Sequence, residues 1–323
     1  MNVRLITPAH LGSRAGNEVT AVRWASILRE LGHETVIAHE YRGESTDILI
    51  ALNAYRSAGA VEDFRQRHPD RPLIVALTGT DLYRFVRSHP DVTLRSIELA
   101  DRLLVLNHLA HKAVPETAHA KLFLIYESAR PLPGGRRPSV RHFDVCVIGH
   151  LRDEKDPLRT ALAVRDLSNG SRIRVLHFGA AHTEQWARTA RGEMQRNRRY
   201  RWFGEVPHWR VRRALGRCHL MGLTSTMEGG PNTLSEAIVA GVPVISSDVD
   251  GAIGVLGEDY PGYFPVGDTE ALRDRLVRAE TDPVFLEQLE RYVERQAPLF
   301  GREREKVRWA ELLATFGSEG DDT

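Results

Sequence analysis

Cysteine is nearly absent from this 323-residue chain: Cys146 and Cys218 are its only thiols. Both lie inside apolar runs (DVCVIG and RCHLMGL) with no CxxC spacing, which excludes a disulfide scaffold and leaves them as reduced core residues. Long hydrophobic runs are missing too, and nothing approaches the ~20 apolar residues of a membrane span. The apolar stretch in MNVRLITPA is too short for a signal peptide and reads as a first strand, so a cytoplasmic protein is expected. Nor is there charge of one sign, since 44 Lys plus Arg stand against 43 Asp plus Glu. That balance argues against a nucleic-acid binder, which carries a basic excess. What remains is an ordinary globular composition, 42% apolar and 27% charged, with length for about two domains at ~150 residues each.

Short β-branched runs alternate with helix-period segments throughout, the pattern of βαβ units and parallel sheets. VRLIT, TVIAHE, DILIAL, PLIVAL, DRLLVL and KLFLIY read as strands, with a helix from Val19 to Leu31 at i, i+3 and i+4 apolar spacing. The segment PLPGGRRP (131–138) has the composition of an exposed linker. Beyond it FDVCVIGH, IRVLHFGA, YRWFGEV, LMGLTST and VPVISSD are strands, with a helix expected over Asp156–Leu167. The expected organisation is residues 1–138, residues 139–297, and a helix within 298–323 that packs back on the first domain. Ligands in open α/β sheets bind beyond the carboxyl ends of strands, so a cleft between two such domains is the expected site.

Four strand-to-helix junctions carry the chemistry. In TSTMEGGPNTLSEAIVAGVPVISSD (224–248) a strand ends, a Gly-Gly-Pro turn follows and a helix opens near Thr233. Its free N–H groups form an anion site suited to phosphate. Glu228 and Glu236 bracket that site, and carboxylates accept from sugar hydroxyls but repel phosphate. A nucleotide sugar satisfies both demands. GHLRDEKDP (149–157) brings Arg152 and Lys155 to a similar junction, suited to a diphosphate leaving group. PAHLGSRAGNE offers Gly12, Arg14, Gly16 and Asn17, and LTGTDLYR offers Thr78, Thr80, Asp81 and Arg84. Asp81 or Thr80 is equally suited to capping the next helix. His108 and His111 lack a matching carboxylate and read as core or surface. The cluster Arg196, Arg198, Arg199 and Arg201 reads as a solvated helix end.

Together these motifs resemble, across essentially the whole chain, the retaining-type family 4 glycosyltransferases of the GT-B fold. The Glu-x7-Glu element, Glu228 to Glu236 followed by AIVAGVPVISSD, is the specific part. The resemblance implies an α/β GT-B architecture: two Rossmann-like parallel-sheet domains facing each other across a cleft, the first on the acceptor side and the second holding the nucleotide sugar. It implies Glu236 on the ribose, Glu228 by the transferred sugar, and Gly204 and Val206 of FGEVP at the nucleobase. Gly229, Gly230, Asn232 and Thr233 would hold the sugar and β-phosphate. Lys155 matches the family's basic pair on the diphosphate, whereas His150 stands where an arginine is expected, with Arg152 as its substitute. Thr78 stands where the family has a histidine.

Within that family LTGTDLYR, GHLRDEKDP, YRWFGEVPH, MEGG, LGEDYPGYFPVGD and APLFGRERE are most similar to the selenosugar synthases of selenoneine biosynthesis. This implies that selenophosphate reacts with UDP-N-acetylglucosamine or UDP-glucose to give a 1-selenosugar, UDP and phosphate. Lys155, Glu228 and Arg152 would be catalytic. Gly12, Arg14, Gly16, Asn17, Thr78, Thr80, Asp81 and Arg84 would receive the acceptor. Neither cofactor nor metal is expected, and a monomer or homodimer is. Two other readings remain open: a family 4 enzyme acting on a hydroxyl acceptor, and a UDP-sugar-binding protein without transferase chemistry.

Overall fold

The computed structural model describes residues 1–9, 12 and 16–317. In chain order these form β1 (Asn2–Ile6), α1 (Gly16–Glu30), β2 (Glu34–Ala38), β3 (Ile48–Leu52), α2 (Ala58–Arg67) and β4 (Leu73–Leu77). A π-helical turn over Asp81–Phe85 leads into α3 (Val86–Ser88), α4 (Pro90–Leu99), β5 (Arg102–Val105) and β6 (Leu122–Leu124). Then come β7 (Phe143–Ile148), α5 (Arg159–Val164), β8 (Ile173–Phe178), α6 (Glu184–Arg196), β9 (Tyr200–Trp202), α7 (His208–Leu215) and β10 (Leu220–Leu223). The chain continues with α8 (Asn232–Val239), β11 (Val244–Ser247), α9 (Asp250–Leu256), β12 (Tyr263–Phe264), α10 (Thr269–Thr281), α11 (Pro283–Gln296) and α12 (Arg302–Ala314).

Two six-stranded parallel sheets result, ordered β2-β1-β3-β4-β5-β6 and β12-β11-β10-β7-β8-β9. Parallel strands covered on both faces must be apolar at every position, and all five residues of β3 and of β4 are buried. That is why ILIAL and LIVAL are legible as strands without any alternation. The strand order reverses between β1 and β3 in the first sheet and between β7 and β10 in the second, so each sheet opens a crevice at those carboxyl ends.

The first compact unit comprises residues 1–128, the loop segment Glu228–Asn232 and the chain from Arg302 on. One of its cores joins β1, β3 and α1 to α12: Trp24 and Trp309 are fully buried, with their rings edge to face at 5.1 Å. The second unit comprises Ala129–Met227 and Thr233–Gly301. The segment that reads as an exposed linker is bound into this unit. Arg136 donates to the carbonyls of Gly241 and His219, both at 2.9 Å, and to Glu290 at 2.6 Å. Its planar fork saturates carbonyls that no strand or helix would reach.

Two local expectations are corrected here. The helix expected over Asp156–Leu167 covers only Arg159–Val164, because Asp156 takes a left-handed φ of 40° ahead of Pro157. Arg199 is not a solvated helix end: it is 8% exposed and donates to the carbonyls of Ser168, Ser171 and Ile173.

Trp309→Ala removes the largest side chain of α12 from a filled core and is expected to cost about 3–5 kcal/mol. Urea unfolding monitored by circular dichroism measures it.

Candidate functional site

At the switch point of the second sheet a small pocket opens beyond β7 and β10, lined among others by Gly149, His150, Lys155, His177, Thr224 and Ser225. Lys155 is delivered by a 3-10 turn, Asp153–Lys155, that is tied to the end of β10. The Thr224 hydroxyl lies 3.1 Å from the Lys155 carbonyl and 2.9 Å from that of Asp156, and Thr226 N–H donates to Glu154 O at 2.9 Å. Two apolar strand ends thus position a cation that sequence spacing alone places only on a loop.

The neighbouring histidines are neutral. His177 is fully buried, and burial lowers its pKa to about 4. Its Nε2 lies 3.1 Å from the Gly149 carbonyl and its Nδ1 3.0 Å from the Tyr200 hydroxyl. The carbonyl can only accept, so Nε2 carries the proton and Tyr200 donates to Nδ1. His150 accepts from Ala180 N–H at Nδ1, 3.1 Å away. Burial first, then the proximity of His182, Arg152 and Lys155, hold its pKa below the usual value. Where an arginine was expected, therefore, stands a neutral ring whose proton is on Nε2. Arg152 reaches Glu154 only at 4.0 Å, and its buried Nε has no hydrogen-bond partner among the described residues.

The loop from β10 to α8 leaves this sheet and packs in the first unit. A Cβ on Gly229 would lie 2.5 Å from the Thr78 carbonyl, one on Gly79 (φ 126°) 2.8 Å from Gly229 N, and one on Gly230 2.4 Å from Leu106 Cβ. Asn107 donates to the Gly229 carbonyl at 2.5 Å. Gly229 and Gly79 are required by this close backbone approach, and Gly230 by the Leu106 side chain. Glu228 is buried, and Asn232 begins α8, with Thr233 next. Glu236, one turn on, receives His208 Nε2 at 2.9 Å. That hydrogen bond and the carboxylate's charge raise the His208 pKa, against desolvation and the charge of Arg212. Gly204 adopts φ 68° and Val206 is half-buried, in the turn after Phe203, which stacks on Phe178 at 4.9 Å.

Beyond the first sheet, Gly12 gives its N–H to the Glu18 carboxylate, and Gly16 and Asn17 begin α1. Arg14 lies outside the described residues. Thr78 and Thr80 both accept from Asn53 Nδ2, at 3.3 and 3.1 Å. Asp81 is fully buried and accepts N–H groups of Ala54, Thr78 and Gly79 at 2.9, 3.0 and 2.8 Å. Burial raises its pKa against those bonds. Its carboxylate organises the loop. Arg84 is exposed, with its guanidinium 5.6 Å from the centre of the Phe85 ring.

Sequence reasoning missed Asn53, Asn107, His177 and His208. Asn53 had a signal: a polar residue directly after the apolar run of β3, held at a left-handed φ of 73° that Asn tolerates better than most residues. The others owe their positions to strands and loops distant in sequence. Among the described residues no group of three or more His, Cys, Asp or Glu side chains is arranged to hold a metal ion, and no helix is long and apolar enough to cross a membrane.

With this geometry in view, residues 138–297 match the family described as glycosyl transferases group 1. The matched residues lie mostly in the second unit, and the chain as a whole has the GT-B fold. Anabaena HepE in complex with UDP-glucose superposes with TM-score 0.78 at 14% identity, over 98% of this chain and 100% of that one. Sucrose-phosphate synthase from Thermosynechococcus elongatus gives 0.80 at 13%, over 98% and 99%. A glycosyltransferase from Rickettsia africae gives 0.73 at 12%, over 99% of each chain. No curated protein matches the sequence.

Two measurements check the local geometry. Gly229→Ala is expected to lower the melting temperature, because its methyl meets backbone and not a yielding side chain. The imidazole of His208 should titrate above ~6.5 by NMR and fall back towards that value in Glu236→Gln.

Proposed function

We propose that the chain is a UDP-sugar-dependent glycosyltransferase whose acceptor is selenophosphate. The observation that carries the donor half is Lys155 at the switch-point cavity of a group 1 glycosyltransferase domain. The complexes of Anabaena HepE with UDP and with UDP-glucose add support for the nucleotide. Glu236 takes the ribose, Glu228 the transferred sugar, and Gly204 and Val206 the uracil. Gly229, Gly230, Asn232 and Thr233 bring the α8 N-terminus to the diphosphate.

As the anomeric carbon–oxygen bond to UDP breaks, negative charge builds on the β-phosphate. Lys155 supplies a full positive charge there and Arg152 a second, while neutral His150 contributes an N–H alone. The selenium of selenophosphate forms the new bond to the anomeric carbon. Water takes the phosphoryl group from selenium, so the products are a 1-selenosugar, UDP and phosphate. Selenophosphate is already anionic at neutral pH, and such a nucleophile needs no general base. Thr78, in the place of a histidine, fits that chemistry. Arg14, Asn17, Thr80 and Arg84 would receive the acceptor, with Gly12, Gly16 and Asp81 shaping its loops. The acceptor half rests on the resemblance of LTGTDLYR, GHLRDEKDP and YRWFGEVPH.

Mass spectrometry of the purified protein with selenophosphate and UDP-N-acetylglucosamine or UDP-glucose tests the whole reading. A selenium isotope pattern on a hexose-sized product, with equal UDP release, is expected. Turnover only with hydroxyl acceptors would replace selenophosphate, and UDP-sugar binding without any turnover would reduce the protein to a binding module. Lys155→Ala should lower kcat about 10²-fold or more.

A further inference from the structure

Helix α1 buries a cation between two acids. Arg23 donates from Nε to Glu305 at 3.2 Å, from Nη2 to Glu127 at 2.5 Å, and from Nη1 to the Asn232 side-chain oxygen at 2.6 Å. Asn232 returns its own amide N–H to Thr20 Oγ1 at 3.2 Å. Thr20 and Arg23 are three residues apart on α1, so one helix face grips both ends of a single amide. Glu305, from α12, also accepts from Trp24 Nε1 and from Ser128 N–H, both at 2.9 Å. Its side chain is fully buried, that of Glu127 is 2% exposed and that of Arg23 13%. Among the described residues the far oxygen of Glu127 has no hydrogen-bond partner. Burial raises the Glu127 pKa against the pull of Arg23.

A buried arginine is costly unless every arm is used. Two arms are spent on acids within the first unit's own framework. The third is spent on Asn232, the first residue of α8, whose main-chain N–H groups at that end are the anion site of the proposed donor complex. The Asn232 amide is committed to α1, so it contributes to that site through its backbone.

We propose that Arg23 is a positioning residue for the donor diphosphate: held by Glu127 and Glu305, it fixes Asn232 and so aims the first turn of α8. Helix α12, far from any substrate in sequence, takes part in substrate binding through Glu305. The inference rests on the α8 N-terminus being the diphosphate site.

The test is calorimetric titration of the full chain with UDP. Arg23→Lys keeps the buried charge but loses the fork, and Asn232→Ala removes the amide it holds. Each should weaken UDP binding about tenfold, the value of one charge-assisted hydrogen bond. The double variant should be no weaker than either single one, because both act through one contact. Leu312→Ala, which empties part of the α12 core, should melt earlier yet bind UDP as the parent does. Unchanged affinity in Arg23→Lys, additive losses in the double variant, or an equal loss in Leu312→Ala would each overturn the proposal. If Lys155→Ala weakens UDP binding while Arg23→Lys does not, the donor site stands and the positioning role falls. If the parent protein does not bind UDP, both fall.

Discussion

The backbone of Gly229 lies so close to the Thr78 carbonyl that a single methyl would stand 2.5 Å from it. That contact is the constraint on which the rest of the site depends. It draws the loop leaving β10 out of the second sheet and onto the ends of β4 and β5. There Asn107 fastens the Gly229 carbonyl and Leu106 leaves no room for a side chain at Gly230. Helix α8 begins where this fastening stops, so the N–H groups proposed to meet the donor are placed by packing of the loop before them.

Electrostatics divides the labour around that loop. The charges at the pocket between β7 and β10 come from long, partly exposed side chains, Lys155 and Arg152, while the two rings beside them are neutral because burial disfavours their cationic forms. The buried charges lie elsewhere, around Arg23, where each is matched by a geometrically fixed partner. A buried, multiply hydrogen-bonded cluster suits a part that must not move.

Most strands were legible because strands buried on both faces of a parallel sheet are dominated by apolar residues, and ILIAL and LIVAL announce themselves. The body of α1 and a helix in the C-terminal tail were legible from apolar periodicity, although α1 starts three residues earlier than that spacing shows. The short α5 was overestimated, since its apolar period runs on into residues that Asp156 and Pro157 prevent from joining it. The positions of the candidate residues were legible where they lie in one continuous segment: Lys155 in the turn after β7, Glu228 and Glu236 around the start of α8. The purpose of the glycine pair was not legible, because a glycine needed for a tight turn and one needed for a close approach look identical in a sequence.

By itself the sequence determined two parallel-sheet domains and which residues sit at the strand-to-helix junctions, because apolar runs and local spacing encode strands, turns and the groups they carry. Tertiary structure alone decided that Arg23, Glu127, Glu305 and Asn232 share one network, that Asn53 holds Thr78 and Thr80, and that His208 pairs with Glu236. The reason is physical. Hydrogen bonds between residues tens to hundreds of positions apart depend on which strand ends the sheet order makes neighbours, and no local pattern records that order.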